Sequence, residues 1–588
     1  MRGFGRKTVL SNETTYSIEM APQVTILYNK SNTFGLQQDS ILLQKILESQ
    51  GFQIRVADPL EPQGQCDIAI HLEVPVYAAA CLAAYNVFVI NPEWWEEAWS
   101  PYLSRADLLI FKCDADKERF LANRESAKAL TIPWTTPVQP SASVKPPVQK
   151  ANSILWLLGG SVSKREAAMK VVPLWNAVWP ELHVYTTAQL DVSGDNVKVH
   201  VKDLSESEIR KLQAEYPCHM IISASESLGL SALEGQAAGA FLIGNSLPVY
   251  QELFQGNPAV ALIGSTLVPN KAGVKDTFSY GTLSELPAAI NKYLNSDCAL
   301  TYKTQTEAAA QRSTNFALAI ADAFRSFKGQ NKGQMAKPLQ DSELPNISVI
   351  TLLYNRRKFV DLAIHNLLIT DYPKHKIEWV VVEDSDITEE QAADKVIKFG
   401  RESAPLSVSY IPMPSSKKIK NTIGAKRNLG IQRAQHEIIL FMDDDDHYPD
   451  SSFRRRVSTL LTHPWKPKAA ACTTIACYDL IKGTSAVNTP PWNLPLKQRI
   501  SEATLVFYKS WAEKGFPDTN VAEGEGFLDG REGDVVELPP QQIIVAMSHS
   551  QNSTSRRIPG PSGRPSCFWG FPKEFLKWLH SLVDIEIE

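Results

Sequence analysis

Runs of branched apolar residues recur along this chain, and most are followed by a helical stretch. "DIAIHLEV" (67–74), "SILWLLGG" (153–160), "ISVITLLYN" (347–355) and "IEWVVVED" (377–384) are compact and rich in branched apolar residues. A strand of that kind has to be covered on both faces. Strands separated by helices achieve this as parallel sheets with helices packed on each side. The pattern predicts an α/β protein.

The alternation restarts twice and so sets the domain plan. After a tail at 1–21, a first unit covers 22–150, with strand-like "VTILY", "FQIRVAD", "NVFVINP" and "DLLIFKC". It ends in the turn-rich "PWTTPVQPSASVKPPVQK". A second unit, 151–328, runs from "SILWLLGG" through "LHVYTT", "MIISAS" and "AFLIGN" to a helical 305–328. The polar "GQNKGQMAKPLQDSELPN" (329–346) reads as a linker, and a third unit covers 347–588. The expectation is two Rossmann-like lobes followed by a single α/β domain with a mixed sheet, the two halves folding separately.

With 60 basic and 64 acidic residues the net charge is −4, which gives no reason to expect a nucleic-acid partner. The eight cysteines show no CxxC pairs or zinc-ligand spacing and read as buried thiols in a reducing compartment. The longest apolar stretch, 76–90, is too short to span a bilayer, and the N-terminus lacks the apolar core of a signal peptide. A cytoplasmic protein without a transmembrane segment is expected, with peripheral membrane contact left open.

Within that frame, "LFMDDDDHYPD" (440–450) demands an explanation, because four adjacent carboxylates repel one another unless something positive compensates. Carboxylates at the end of a buried strand can hold a hard divalent cation, and a diphosphate can complete its oxygen shell. The alternative is a solvated acidic turn. Three neighbours favour the first reading. "WVVVEDSD" ends a second strand in Glu383, Asp384 and Asp386, at the carboxyl edge where parallel sheets bind ligands. "GAKRNLG" opens a helix with Lys426 and Arg427, a cationic helix start. Downstream, "AEGEGFLDGR" offers Glu523 and Glu525 as bases, and "AMSHSQNSTSR" offers His549.

Taken in order, these motifs resemble the family 2 glycosyltransferases, which have the GT-A fold, over roughly 345–560. The resemblance implies inverting sugar transfer from a nucleotide-sugar, a UDP- or GDP-sugar, with Mn²⁺ or Mg²⁺ as cofactor. It also implies that Asp384, with Glu383, contacts the nucleotide base and that Lys426 and Arg427 serve the donor. Asp443 would face the ribose and share the metal with Asp445, and His549 would close over metal and diphosphate. Glu525 would be the catalytic base. Where the family has an acidic residue next, this chain has Gly526, so Glu523 stays a rival.

In the first half the informative stretch is "ISASESLGLSALEGQAAGAFLIGN" (222–245), where Glu226 and Glu234 flank a helix start at Gly229–Leu230. This is similar to the Glu-x-Glu signature of family 4 glycosyltransferases, retaining enzymes of GT-B fold. The similarity implies that Glu226 contacts the donor sugar and Glu234 the ribose. Lys164 and Arg165 would bind the diphosphate, and His71 would be an acceptor-side histidine. The family's glycine-rich loop is reduced here to Gly35. The chain is thus expected to be a bifunctional glycosyltransferase acting on a glycan or glycoconjugate. The alternative is one active domain beside a degenerate, carbohydrate-binding half. A nucleotidyltransferase ranks lower, because "LLYNRRKFVDLA" lacks the glycines that chemistry needs.

Overall fold

The computed structural model describes residues 21–138, 152–325, 339–552 and 570–587, apart from 33–34, 60, 62, 123, 125–127, 265, 270–275, 280–282, 415–420, 492, 541 and 551. The tail to residue 20 and most of both interdomain breaks lie outside the described residues.

The architecture is α/β, as expected. The first sheet has six parallel strands, ordered from edge to edge Gln53–Ala57, Gln23–Leu27, Cys66–Leu72, Ala83–Val89, Leu108–Phe111 and Lys128–Thr131. The second also has six parallel strands, ordered Val260–Ile263, Phe241–Asn245, Cys218–Met220, Ser153–Gly159, Glu181–Thr186 and Val197–Val201. The helix Cys298–Arg325 ties the two together. Near its start Gln305 donates to the Ala240 carbonyl at 2.8 Å, and near its end Phe316, Ile320 and Phe324 join the core of the first lobe.

The third sheet has seven strands, ordered Ser407–Pro412, Ile377–Glu383, Ile347–Leu353, Ile438–Phe441, Val506–Tyr508, Ala469–Ala471 and Val535–Glu537. The first four are parallel, and Val506–Tyr508 runs antiparallel to both neighbours. In register, Leu353 pairs with Glu383 and Ile350 with Phe441. The strands that end in acidic residues therefore flank Ile347–Leu353 and finish at the same end of the sheet. A small sheet, Ile475–Asp479 between Thr484–Asn488 and Val545–Ser548, lies beyond it.

Besides the linker expected between them, the two halves meet through their surfaces. One apolar core runs from Tyr77, Trp95, Trp99 and Tyr102 of the first lobe into the third sheet. Tyr77 and Tyr102 stack with centroids 4.7 Å apart, and the Tyr77 hydroxyl donates to the Val535 carbonyl at 2.5 Å. His463 Nε2 donates to the Cys81 carbonyl at 3.0 Å, and the Arg105 guanidinium lies 4.4 Å over the Trp465 ring. Arg499 reaches the Tyr102 hydroxyl at 3.3 Å and lies 3.9 Å from buried Glu537. Sequence patterning gave no sign of this contact, because each aromatic also reads as core of its own lobe. Among the described residues, no helix is long and apolar enough to cross a membrane.

Candidate active site

The C-terminal edge of the third sheet gathers the acidic residues. One ligand atom from each of Asp443, Asp445 and Asp446 lies within 4.8 Å of the others. Asp445 Oδ2 accepts from Arg356 Nη1 at 2.7 Å and Asn552 Nδ2 at 3.2 Å, and lies 3.1 Å from His549 Nε2. His549 is buried and stacked on Phe359, with centroids 4.4 Å apart. Asp444 points elsewhere: its Oδ1 lies 3.3 Å from Arg356 Nη1. Burial pushes the Asp444 carboxyl well above the usual carboxylate range, and Arg356 opposes that shift. Clustered oxygen donors beside an imidazole fit a hard divalent cation, so the residues suit the metal that the motif order implies.

Arg356 answers the question raised by the four aspartates. It sits in the loop after strand Ile347–Leu353, and the acidic cluster raises its already high pKa further against the cost of burial. Sequence reasoning passed over both it and Asn552. The signal was present, since both lie within stretches singled out for other residues, but an arginine after a strand looks like any solvated cation.

Next along the edge, buried Lys426 holds Asp384 at 2.8 Å. Thr422 caps that helix, its Oγ1 accepting from the Ala425 amide at 3.0 Å. Glu383 has another commitment. It accepts from the Ser385 hydroxyl, the Ala392 amide and the Tyr410 hydroxyl at 2.7 to 3.0 Å, and so fixes the following loop.

The two candidate bases part company here. Glu523 is buried and paired with Arg427 at 3.3 Å, while Arg427 lies 4.4 Å over Phe441. Burial first, and then the charge of Glu523, raises the pKa of neighbouring Glu502. Glu525 is half-buried, and its Oε1 accepts from Gln498 Nε2 at 2.8 Å. Glu525 thus has a neutral amide as its partner, whereas Glu523 is held by a guanidinium.

In the first half, Lys164 Nζ donates to Ser231 Oγ at 2.8 Å and lies 3.7 Å from Glu226 Oε1. Gly229, with φ 76°, opens the helix Leu230–Ala237, and a Cβ there would meet the Tyr250 ring at 2.4 Å. Glu234 is pinned by Arg210 at 2.9 Å and Gln213 at 2.8 Å. Arg165 donates to the Gly160 carbonyl at 3.0 Å. Lys164, Glu226, Gly229 and Leu230 are thus together, while Glu234 is tied to a neighbouring helix. His71 is not available to a substrate. It is 1% exposed, its Nδ1 accepts from the Val76 amide at 3.0 Å, and its Nε2 faces Asn86 Oδ1 at 3.3 Å. Burial lowers its pKa to about 4. A residue that the sequence did not suggest is Glu93 of the first lobe, pushed up to about 8 by burial and then by the Glu226 charge.

Residues 348–498 match the family described as Glycosyl transferase family 2. Among curated proteins, the poly(ribitol-phosphate) beta-N-acetylglucosaminyltransferase TarS of Staphylococcus aureus, strains Mu50 and MW2, is 33% identical over 100 residues. That stretch is 17% of this chain and 16% of the relative's length. Solved structures with partial likeness include S. aureus TarS 1–349 in complex with UDP-GlcNAc, at 17% identity over 35% of this chain and 60% of that one, TM-score 0.28. The mannosyltransferase PcManGT from Pyrobaculum calidifontis in complex with GDP-Man and Mn²⁺ is 17% identical over 40% and 65%, TM-score 0.28. Sucrose-phosphate synthase from Thermosynechococcus elongatus is 12% identical over 52% and 99%, TM-score 0.39. The match to the Glycosyl transferase family 2 model thus lies within the third, C-terminal unit of the chain, on the strands that carry the acidic residues.

Proposed function

We propose that the C-terminal domain transfers a sugar from a nucleoside-diphosphate donor to a hydroxyl of a glycan or polyol-phosphate acceptor, with inversion. The observation that carries this is the pairing of an acidic cluster with a carboxylate whose partner is a neutral amide. Asp443, Asp445 and Asp446 converge at the sheet edge, while Glu525 is the one of two candidate bases not locked to an arginine. Asp384, oriented by Lys426, meets the nucleotide base. Asp443 and Asp445, with His549 above them, would hold Mn²⁺ or Mg²⁺, which when bound supplies charge to the departing diphosphate. Glu525 accepts the proton of the acceptor hydroxyl as its oxygen bonds to the anomeric carbon and the bond to the diphosphate oxygen breaks. One displacement inverts the centre. The curated relative named above is an N-acetylglucosaminyltransferase on poly(ribitol-phosphate), so UDP-N-acetylglucosamine and a polyol phosphate head the test panel.

A second reading concerns the first half. Lys164, Glu226 and the Gly229 turn form a cation, carboxylate and backbone group suited to a diphosphate-sugar without metal, which favours a separate retaining transferase. Transfer assays on the full chain, with a nucleotide-sugar panel in EDTA and in Mn²⁺, test both. Metal-dependent transfer lost in Asp445→Ala supports the first, and EDTA-resistant transfer lost in Glu226→Ala supports the second. Full transfer by Asp445→Ala in EDTA, with none lost in Glu226→Ala, would overturn both.

A further inference from the structure

Three of the four consecutive aspartates converge on one point, and the fourth does not. Asp444 is 3% exposed, and its Oδ2 has no hydrogen-bond partner among the described residues. Its other oxygen lies 3.3 Å from Arg356 Nη1, the same nitrogen that sits 2.7 Å from Asp445 Oδ2. One guanidinium nitrogen is therefore divided between a carboxylate of the metal cluster and one outside it. A guanidinium can engage a single carboxylate through two parallel N–H donors, and the unused Asp444 Oδ2 is the acceptor such a pairing needs. A buried carboxylate oxygen left without a donor is costly, so the arrangement with Arg356 leaning toward Asp445 is incomplete on one side.

We infer that Arg356 is a resident counter-cation of the aspartate cluster and Asp444 the carboxylate to which it withdraws when Asp445 turns to the divalent ion. The inference rests on the metal reading above and adds to it a displacement. Before the ion arrives, Arg356 neutralises Asp445. On its arrival, the guanidinium moves its weight onto Asp444 and fills both oxygens, so two positive charges never compete for Asp445. Arg356 is then a positioning residue that makes ion binding in the absence of donor weaker than three carboxylates would otherwise give.

The test measures Mn²⁺ binding to the full chain without nucleotide, by the electron paramagnetic resonance signal of free Mn²⁺. Removing a positive charge beside a ligand should tighten Mn²⁺ on Arg356→Gln by about tenfold or more. Arg356→Lys keeps the charge and should stay near wild type. Asp444→Asn, which denies the arginine its second partner, should weaken binding several-fold. As a second readout, Arg356→Gln should melt below wild type in EDTA and recover part of the difference in Mn²⁺. Unchanged or weaker Mn²⁺ binding by Arg356→Gln, with wild type binding normally, would overturn the displacement alone. If wild type and Arg356→Gln both fail to bind Mn²⁺, the metal reading falls and takes this one with it.

Discussion

Replacing each of the two neighbouring glutamates by glutamine should damage the enzyme in opposite ways. Glu525→Gln keeps the shape and one polar partner, Gln498, in a half-buried position, so the fold should be unaffected. The amide cannot accept the acceptor's proton, and turnover should drop about 10²–10⁴-fold, or about 2.7–5.4 kcal/mol in activation free energy at 1.36 kcal/mol per decade. Glu523→Gln removes the charged partner of buried Arg427. Breaking a buried pair costs about 3–5 kcal/mol. Here the low end applies, because Glu502, no longer facing the Glu523 charge, ionises more readily and takes up part of the arginine's field. At about 2–4 °C per kcal/mol for a unit of roughly 240 residues, a loss of about 3 kcal/mol lowers the melting point by about 6–12 °C. Turnover per folded molecule should fall far less than in Glu525→Gln. Steady-state transfer kinetics and a thermal melt on the two variants separate the cases. Lost turnover with an unchanged melt in Glu523→Gln, beside an active Glu525→Gln, would refute the reasoning and make Glu523 the base.

Other outcomes follow from the same geometry. EDTA should abolish transfer by the C-terminal domain and Mn²⁺ or Mg²⁺ should restore it, as a radiolabelled-donor assay will show. Residues 1–330 and 339–588 produced as separate chains should co-elute in gel filtration, and Tyr102→Ala, which empties the stacked position against Tyr77, should separate them. Burial lowers His71 and His219 to about 4 against an ordinary 6.5. The unfolded chain therefore takes up these protons first, and stability held above pH 6.5 should decline as pH falls toward 4. Urea midpoints at pH 7, 5.5 and 4.5 measure this, and His71→Gln should flatten the slope.

The sheet plan was legible because a strand buried on both faces leaves an unbroken apolar run, and acidic residues at its end stand out against that run. Asp384, Asp443 and Asp445 were singled out in this way. What stayed out of reach has a common cause: sequence shows a residue's type but not the partner that its charge or ring has already taken. Glu523 and Glu525 look alike two positions apart, and only the fold reveals that Arg427, 96 residues earlier, has claimed one of them. Glu383 looks like a donor ligand until its oxygens are found holding Ala392 and Tyr410. His71 in a strand reads the same whether it faces a ligand or Asn86. Arg356 escaped notice because its partners lie nearly 90 positions downstream.

The packing of the first lobe against the third sheet also sets a schedule for the protein's synthesis. Tyr77 leaves the ribosome 458 residues before its hydrogen-bond partner Val535, and at ~5–20 residues per second that gap lasts roughly 23–92 s. Throughout that interval the stacked tyrosines and Cys81 present a sticky apolar patch on a lobe that is otherwise free to fold. Slow codons or a shortage of holdase chaperones between the two events would lengthen the exposure, so soluble yield should depend on elongation rate more than the stability of the finished enzyme would suggest.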